Sequence, residues 1–402
     1  MYTAPDDIPI LDDDPFSKDV LADPQSYQDK LRKAGSVVWL SKYGFYAVGG
    51  YDEAAKIYGD WRTYTSERGV GTTDLAKHTP WWGERAVLIE SDPPRHNEIK
   101  AQVMQVYSPR ALTELGLVFR KEAETLIDAV IAKRSVDAHA DIAAAYPLKV
   151  FGDALGIDQA GRDILLTFGD LVFNNFGPKN DILEASWQNA NKIGAVDWMR
   201  ARTARDAVRD GSLGQKLHSL SDRGDLTPAE SANVMRGQLA AGVDTTVAAL
   251  GYAIYCFAVY PDQYALLRED PSLGVRALEE AIRLLSPLQT ILRTTTSDTE
   301  LGGLPVKADH KIVISNAAAN RDPRKFQDPD RFDITRNVTG HLGFGRGVHS
   351  CVGQHIAKLE AEHLFAVLAE RVQKITLAGA PRYKLNNTVR SLSCLPVTIE
   401  PA

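Results

Sequence analysis

A short glycine-rich segment, residues 344–353, brings one histidine and one cysteine together among three glycines. The segment that follows, residues 354–370, has the apolar spacing of a helix. Cys351 is therefore expected just before a helix start, where the helix dipole and free backbone N–H groups lower the pKa of a thiol. A thiolate in that position is either a nucleophile or a metal ligand, and the glycines allow a tight loop around it.

A buried free thiol in a glycine turn is the alternative, because free cysteine is among the most buried residue types. The neighbouring residues argue against it. The segment matches the pattern F-x-x-G-x-H-x-C-x-G, and so resembles the haem-binding loop of the cytochrome P-450 family. In that family the cysteine thiolate donates electron density to the haem iron and favours O–O cleavage. The resemblance implies haem b as cofactor and Cys351 as its axial ligand, bordered by Phe344, Gly347, His349 and Gly353.

A long helix is predicted over residues 227–260. Thr227 suits the N-cap, Pro228 suits the first helical position, and Glu230 completes a capping box. The helix would span roughly 34 residues, or about 50 Å. Its uncharged stretch, residues 245–260, is shorter than the ~20 residues a membrane span needs. We therefore expect the central helix of a large domain.

The middle of this helix reads Ala-Gly-Val-Asp-Thr-Thr over residues 241–246. A glycine inside a helix costs about 1 kcal/mol relative to alanine, and a threonine there can bond back to a carbonyl and bend the helix. This predicts a distortion beside a ligand, with a satisfied polar kink as the alternative. The segment resembles the oxygen-binding groove of the same family. The resemblance implies that Thr245 steadies oxygen and its water and that Asp244 delivers protons.

Two further landmarks of the family occur in matching order. Glu280 and Arg283 lie three residues apart, on one helix face, and resemble the family's buried E-x-x-R pair. The resemblance implies that Arg331, within residues 329–332, completes a structural triad that holds the chain leading into the cysteine loop. Residues 320–323, Asn-Arg-Asp-Pro, resemble another landmark just upstream.

Haem propionates need cationic or hydrogen-bonding partners. By position, His96, Arg293 and His349 match the family's propionate-binding residues. Lys100 stands where the family usually has arginine. Lysine can pair with a propionate as a point charge but cannot make a bidentate contact.

The composition fits one soluble domain over residues 1–402, with a β-richer part at about 1–60 and a helical core that carries the cysteine loop. Hydrophobic residues make up 44% and charged residues 24%, as in ordinary globular proteins. The net charge of −6 argues against nucleic-acid binding. Three widely spaced cysteines, and an acidic start without a basic or apolar run, favour a cytoplasmic protein without a membrane anchor.

The periodicity predicts a mainly α-helical protein with minor β structure, and the resemblance implies the single-domain P-450 fold with haem between the central helix and the cysteine loop. A hairpin is expected at residues 37–51 and a second β region at 294–316, with a Gly-Gly turn. Further helices are predicted over residues 111–133, 143–155, 164–173 and 186–208.

Several segments resemble the bacterial P-450s that act on para-substituted benzoates. The resemblance implies a narrow aromatic slot and O-demethylation of 4-methoxybenzoate-type acids to the phenol plus formaldehyde. The segments that carry this resemblance are residues 66–71, 145–148, 173–178, 286–290 and 386–388.

Carried over to this chain, Phe173 and Phe176 would clamp the aromatic ring. They lie three residues apart, on one helix face. The alternative is that both phenylalanines only pack in the protein core. Arg68 and Arg236 would supply positive potential to the carboxylate, and Arg68 would contribute more to its binding here than in the related enzymes. The remaining expected substrate contacts are Leu288 and Ile291.

The chain departs from this subfamily at three positions. Gly237 and Ala240 stand where its members have serines near the carboxylate, and Ile291 stands where they have phenylalanine. A roomier or less polar pocket is the expected result, which keeps open a different small neutral aromatic or terpenoid substrate.

The resemblance implies O2 as cosubstrate and an iron–sulfur ferredoxin, with its NAD(P)H-dependent reductase, as electron donor. Arg346 and Lys100 are expected at the docking face for an acidic ferredoxin. One alternative is a peroxide-driven enzyme of the same fold, which typically lacks the acid–alcohol pair. Another is a haem protein that binds a ligand without turnover.

Overall fold

The computed structural model describes residues 4–402 and confirms a mainly helical protein with minor β structure. In chain order the α-helices are α1 Lys18–Ala22, α2 Gln25–Ala34, α3 Tyr51–Gly59, α4 Arg95–Val106, α5 Pro109–Lys133, α6 Ala145–Leu155, α7 Ile164–Asn175, α8 Asp181–Lys192, α9 Ala195–Arg202, α10 Leu213–Ser219, α11 Pro228–Val259, α12 Pro261–Glu269, α13 Gly274–Leu285, α14 Asn316–Ala319 and α15 Gln354–Arg371. The strands are β1 Ile10–Leu11, β2 Val38–Leu40, β3 Phe45–Val48, β4 Tyr64–Thr65, β5 Ser135–Asp137, β6 Thr290–Thr295, β7 Thr299–Leu301, β8 Leu304–Val306, β9 Lys311–Ser315, β10 Val372–Leu377, β11 Arg382–Lys384, β12 Ser391–Cys394 and β13 Pro396–Pro401. A π-helical turn covers His139–Ala144, and 3-10 turns cover Pro271–Leu273, Leu342–Phe344 and Gly347–His349.

The main sheet has six strands in the order β1-β2-β3-β9-β6-β4. The predicted hairpin is confirmed as antiparallel β2 and β3, and the second β region is confirmed as β6 to β9 with Gly302 and Gly303 at positive φ in its turn. Strand β3 pairs in parallel with β9, placing Ala47 opposite Val313. The N-terminal strands, described from residue 4 onward, are therefore part of a sheet completed by the second half of the chain.

Three of the four additional helices are confirmed as α5, the π-helical turn with α6, and α7. The single helix predicted over residues 186–208 is wrong. Helix α8 starts earlier, at Asp181, and ends at Lys192, and α9 covers only Ala195–Arg202. Gly194 separates them with a φ of 64°, a left-handed conformation that glycine adopts without steric cost and that interrupts a helix.

Helix α11 is the central helix of the fold. Its capping box forms as expected: the Thr227 hydroxyl accepts from the Glu230 N–H, and the Glu230 carboxylate accepts from the Thr227 N–H. The helix packs against α7, α10 and α13. It is long and apolar enough to cross a membrane by composition alone, but 72% of its most apolar window is buried inside the protein. Burial of most of the helix accounts for its apolar composition.

The predicted E-x-x-R pair on α13 is a fully buried ion pair. Arg283 Nε lies 2.6 Å from Glu280 Oε2, and Arg283 Nη2 lies 2.9 Å from Glu280 Oε1. The assignment of Arg331 as the third member is wrong. Its side chain is exposed, and only its carbonyl oxygen accepts a bond from Arg283, whereas Arg336 Nε lies 3.1 Å from Glu280 Oε1.

This ion pair positions the chain that enters the cysteine loop. Arg283 donates to the carbonyl oxygens of Asn320 at 3.0 Å and Pro329 at 2.7 Å. The Asn320 side-chain oxygen in turn accepts the Leu342 N–H at 2.7 Å. Leu342 begins the 3-10 turn that leads directly into residues 344–353, so α13 sets the position of that loop.

Replacing Arg336 tests the corrected triad. Arg336→Ala leaves a hydrogen bond to a buried carboxylate unmade, so we expect the free energy of unfolding to fall by about 1–3 kcal/mol. Arg331→Ala is the matched control and should change it by less than about 0.5 kcal/mol, because its side chain is exposed. Urea unfolding of the purified holoprotein measures both. A larger loss in Arg331→Ala than in Arg336→Ala would restore the original assignment.

Candidate active site

The cysteine loop is closed by a backbone bond from the Cys351 N–H to the Phe344 carbonyl, at 2.8 Å. Gly347 has a φ of 70°, and a Cβ there would lie 2.5 Å from the Tyr58 carbonyl oxygen, so no larger residue fits. Helix α15 begins at Gln354, as predicted. Cys351 thus lies three residues before a helix start, at the end of a rigid loop.

The pKa of the Cys351 thiol is raised, contrary to the expected direction. Burial within the fold is the largest cause, and it outweighs the N–H groups of Gly353 and Gln354 and the charge of Lys100, which lower the pKa. Many protein atoms surround the thiol, but part of its surface is nevertheless accessible to solvent. A metal cation bound to the sulfur favours the thiolate strongly enough to reverse this balance, so the position suits a metal ligand better than a free nucleophile.

His96, His349 and Arg293 form a buried polar cluster that suits the propionates of haem. The two imidazole rings lie 4.2 Å apart, and both interact with the charge of Arg293. His349 Nε2 is buried without a hydrogen-bond partner among the described residues, and lies 3.6 Å from the Asp92 carboxylate. The Arg293 guanidinium donates to the neighbouring Leu292 carbonyl, at 2.8 Å. Buried donors with few partners are what an anionic carboxylate needs.

Lys100 has a different role from the one expected. Its ammonium donates to the carbonyl oxygens of Val348 and Ser350, both at 2.7 Å, and to the Ser350 hydroxyl at 3.0 Å. These bonds join α4 to the cysteine loop. Lys100 is therefore placed to hold the loop rather than to bind a propionate, and its charge lies close enough to Cys351 to lower the pKa of that thiol.

Asp244 and Thr245 lie in the middle of α11. The Thr245 hydroxyl donates to the Ala241 carbonyl at 2.6 Å, which is the back-bond predicted for a mid-helix threonine. Gly242 is explained by packing: a Cβ there would lie 2.6 Å from the Phe151 ring. Burial raises the pKa of Asp244 to about 6, which places it near neutral pH, where a carboxyl can both take up and donate a proton.

A lysine from the C-terminal part of the chain lies beside Asp244. Lys384, on β11, lowers the pKa of Asp244 by its charge, while Asp170, on α7, raises it. The Lys384 ammonium is 2.9 Å from Asp170 Oδ1, and Ser186 donates to the other Asp170 oxygen at 2.8 Å. The Lys384 side chain is 34% exposed, so the cluster whose charges act on Asp244 reaches the solvent.

A cavity of about 880 Å³ opens beside α11. Its lining includes aromatic side chains, of which Trp82 and Phe168 pack edge to face at 5.3 Å, together with Phe176. Arg236 and Ala240 line it from α11. A concave site of this volume, with aromatic side chains and several charged groups in its lining, can hold a small molecule.

The C-terminal end of α7, with Phe173 and Phe176, is held from two sides. Thr388 donates to the Phe173 carbonyl at 2.7 Å, and the Thr72 N–H donates to the Phe176 carbonyl at 2.8 Å. A Cβ at Gly71 would lie 2.6 Å from the Phe176 Cα, so the glycine permits this close approach. The two rings pack edge to face at 5.9 Å.

The structure divides the expected substrate residues into two groups. Phe176 and Arg236 line the cavity, whereas Phe173, Leu288, Ile291 and Arg68 are not among its lining residues. Leu288 and Ile291 instead pack in the core cluster that Phe176 also contacts.

The expectation that Arg68 contributes more to carboxylate binding here than in the related enzymes is corrected by its contacts. Its guanidinium forms ion pairs with both Asp74 and Asp309. Two carboxylates already compensate its charge, so its role is to fix the loop that contains residues 66–74.

Sequence reasoning missed three residues that the structure brings to the site. Lys384 is 140 positions from Asp244, and no local pattern connects them. Glu84 pairs with Arg236 from an irregular loop, and Arg336 replaces Arg331 beside Glu280. Ion pairs between distant segments have no periodic signal in a single sequence.

Comparisons with known proteins agree with the fold. A family model described as Cytochrome P450 matches residues 275–390. Cytochrome p450 CYP199A2 of Rhodopseudomonas palustris is 43% identical over 98% of this chain and 95% of its own length. Cytochrome P450-terp of a Pseudomonas species is 31% identical over 77% of this chain and 75% of its own.

Solved structures give the same result. CYP108D1 from Novosphingobium aromaticivorans superposes with a TM-score of 0.80 at 27% identity, covering 96% of this chain and 98% of its own. CYP109Q5 from Chondromyces apiculatus gives a TM-score of 0.77 at 28% identity, covering 98% of this chain and 99% of its own. The chain belongs to the cytochrome P450 family. It is accordingly an oxidoreductase, a monooxygenase whose cofactor is haem b.

Replacing Lys384 tests whether its charge controls Asp244. Lys384→Met removes a cation that favours the ionised carboxylate, so the pKa of Asp244 should rise above about 6. The ratio of product formed to NAD(P)H consumed should depend on pH, and the midpoint of that dependence should therefore move to higher pH. Lys384→Arg keeps the charge and should keep the parent midpoint. Identical pH profiles in Lys384→Met and the parent would show that Lys384 takes no part in proton delivery.

Proposed function

We propose that this monooxygenase oxidises the para substituent of a small aromatic acid of the 4-methoxybenzoate type. One observation carries the proposal: the cavity combines aromatic walls with one arginine, Arg236, on the central helix. The segments that resemble the para-substituted benzoate enzymes support it, and so does the 43% identity with CYP199A2.

The proposed reaction inserts one oxygen atom into a C–H bond of the para substituent. O2, two electrons and two protons are consumed, and the other oxygen atom leaves as water. With a methoxy group, the hydroxylated product is a hemiacetal that collapses to formaldehyde and the phenol. When bound, haem supplies oxygen activation, and the protein positions the substrate and supplies the protons.

The chain's residues have separate roles in this proposal. Cys351 would bind the haem iron through its thiolate, and His96, His349 and Arg293 would hold the propionates. Asp244 passes protons inward from the Lys384 cluster. The Thr245 hydroxyl, whose present acceptor is the Ala241 carbonyl, holds the last proton donor in place.

Arg236 is the proposed partner of the substrate carboxylate. A carboxylate that enters an apolar cavity loses its hydration, which costs several kcal/mol unless a charged donor replaces the water. Arg236 lines the cavity, whereas Arg68 does not. Gly237 and Ala240 also line it but offer no side-chain donor, so the guanidinium has to hold the acid without serines.

A neutral aromatic ether or a terpenoid is the second candidate substrate. The observation that favours it is charge compensation: Arg236 already pairs with Glu84, and Arg68 with Asp74 and Asp309. A cavity with paired charges does not require an anionic ligand.

A ferredoxin is the proposed electron donor, and the cytoplasm the proposed location. Arg346 is exposed on the cysteine loop, where a cation would steer an acidic partner. The Lys100 ammonium donates to a carbonyl oxygen of the cysteine loop, so it does not contribute to this surface. All three cysteines are free thiols, which fits a reducing compartment.

Ligand binding tests the proposed substrate class. 4-Methoxybenzoate should change the spin state of the ferric haem, and Arg236→Met should weaken its binding by about tenfold, the value of one charge-assisted hydrogen bond. Binding of the uncharged methyl ester should not change. Titrations followed by absorbance give both dissociation constants.

Arg68→Met is the matched control and should affect acid and ester equally, because Arg68 fixes a loop outside the cavity lining. If the acid binds equally well to the parent and to Arg236→Met, the acid proposal fails. Tight binding of neutral ethers alone would transfer the proposal to the second candidate.

Replacing Thr245 tests the proposed oxygen chemistry. Thr245→Ala removes the hydroxyl that holds the proton donor, so product formed per NAD(P)H consumed should fall several-fold while 4-methoxybenzoate binds as before. Thr246→Ala, its neighbour on the helix, is the control and should stay coupled. Product formed with reductase and ferredoxin, but not with peroxide alone, separates this enzyme from a peroxide-driven one. Equal coupling in Thr245→Ala and the parent would contradict the role.

A further inference from the structure

The loop that carries Glu84 is fixed to the central helix by an asparagine. The Asn233 side-chain oxygen accepts the Val87 N–H at 3.0 Å, and its side-chain nitrogen donates to the Arg85 carbonyl at 2.7 Å. Asn233 lies one helical turn before Arg236. These two bonds hold the backbone next to Glu84 against α11, so the approach of its carboxylate to Arg236 is set by the fold.

Arg236 and Glu84 form an ion pair, and both line the cavity. The Arg236 side chain is 16% exposed, and burial lowers its pKa, which shows that its charge is costly without a partner. Its guanidinium also lies over the Trp82 ring, 5.3 Å from the centroid. The Glu84 side chain is 37% exposed and so can rotate into water.

The donors closest to Arg236 on the helix are missing, and one lysine of the cavity is already used. Gly237 and Ala240 follow Arg236 on the helix and present no hydroxyl group to the cavity. Lys311 also lines it, but its ammonium donates to the carbonyl oxygens of Arg68 and Gly69 at 2.8 and 2.7 Å. A substrate carboxylate would therefore compete for the guanidinium that Glu84 holds.

We infer that Glu84 is a specificity-determining residue that competes with the substrate carboxylate for Arg236. An acid must displace Glu84 to reach the guanidinium, whereas a neutral analogue of the same shape need not. Glu84 thus lowers the preference of the cavity for acids over neutral aromatics. This inference rests on the proposed function, because it requires an aromatic ligand whose acidic end reaches Arg236.

A glutamine at position 84 tests the competition, because it keeps the shape of the side chain and removes its charge. Glu84→Gln should bind 4-methoxybenzoate about tenfold more tightly than the parent, one decade for the charge-assisted bond that becomes available. The methyl ester should bind the same in both. Spin-state titrations of the holoprotein, checked by calorimetry, measure the four dissociation constants.

Two further variants test whether the tighter binding of the acid is specific to position 84 and whether it depends on Arg236. Glu67→Gln changes a glutamate of the same connecting segment that pairs with Arg85, and should alter neither ligand. In an Arg236→Met background, Glu84→Gln should no longer improve acid binding, because the contested guanidinium is gone.

The outcomes separate the two proposals. If acid and ester both bind but Glu84→Gln leaves their affinity ratio unchanged, or improves acid binding even without Arg236, the inference fails and the proposed function stands. If neither ligand changes the spin state in any variant, the proposed function fails and the inference fails with it.

Discussion

The buried ion pair between Glu280 and Arg283 is the contact on which the position of the cysteine loop depends. Both side chains are withdrawn from water, so their charges are costly unless every donor and acceptor is used. The fold meets this demand with carbonyl groups from residues 320–331 and with Arg336. Those carbonyls belong to the chain that enters the loop, so compensating two buried charges also orders the segment that presents Cys351.

The same requirement applies to three other cations of the protein. Arg68, Arg236 and Lys384 are each partly or fully withdrawn from water, and each lies against a carboxylate of another segment. His349 differs, because its buried Nε2 lies 3.6 Å from the Asp92 carboxylate but makes no hydrogen bond among the described residues. The His349 imidazole thus remains available where a haem propionate would bind, whereas the three other cations are already paired.

Much of the architecture followed from local patterns. Capping residues located the start of α11, and glycine and threonine indicated its unusual centre. The hairpin and the second β region were predicted because alternation and turn residues are local signals. Helices α8 and α9 were predicted as one because a single glycine inside an apolar pattern is often tolerated. Here Gly194 adopts a left-handed conformation and ends the pattern.

By itself, the sequence determined the family resemblance, the order of the motifs and the identity of the candidate iron ligand, because these depend on residue types at fixed spacing. Only the tertiary structure decided which charges meet. Arg336, rather than Arg331, bonds to Glu280. Lys100 donates to backbone carbonyl groups rather than to a propionate. Glu84 forms an ion pair with Arg236. The physical reason is that ion pairing depends on distances between segments far apart in the chain, and a linear pattern does not encode those distances.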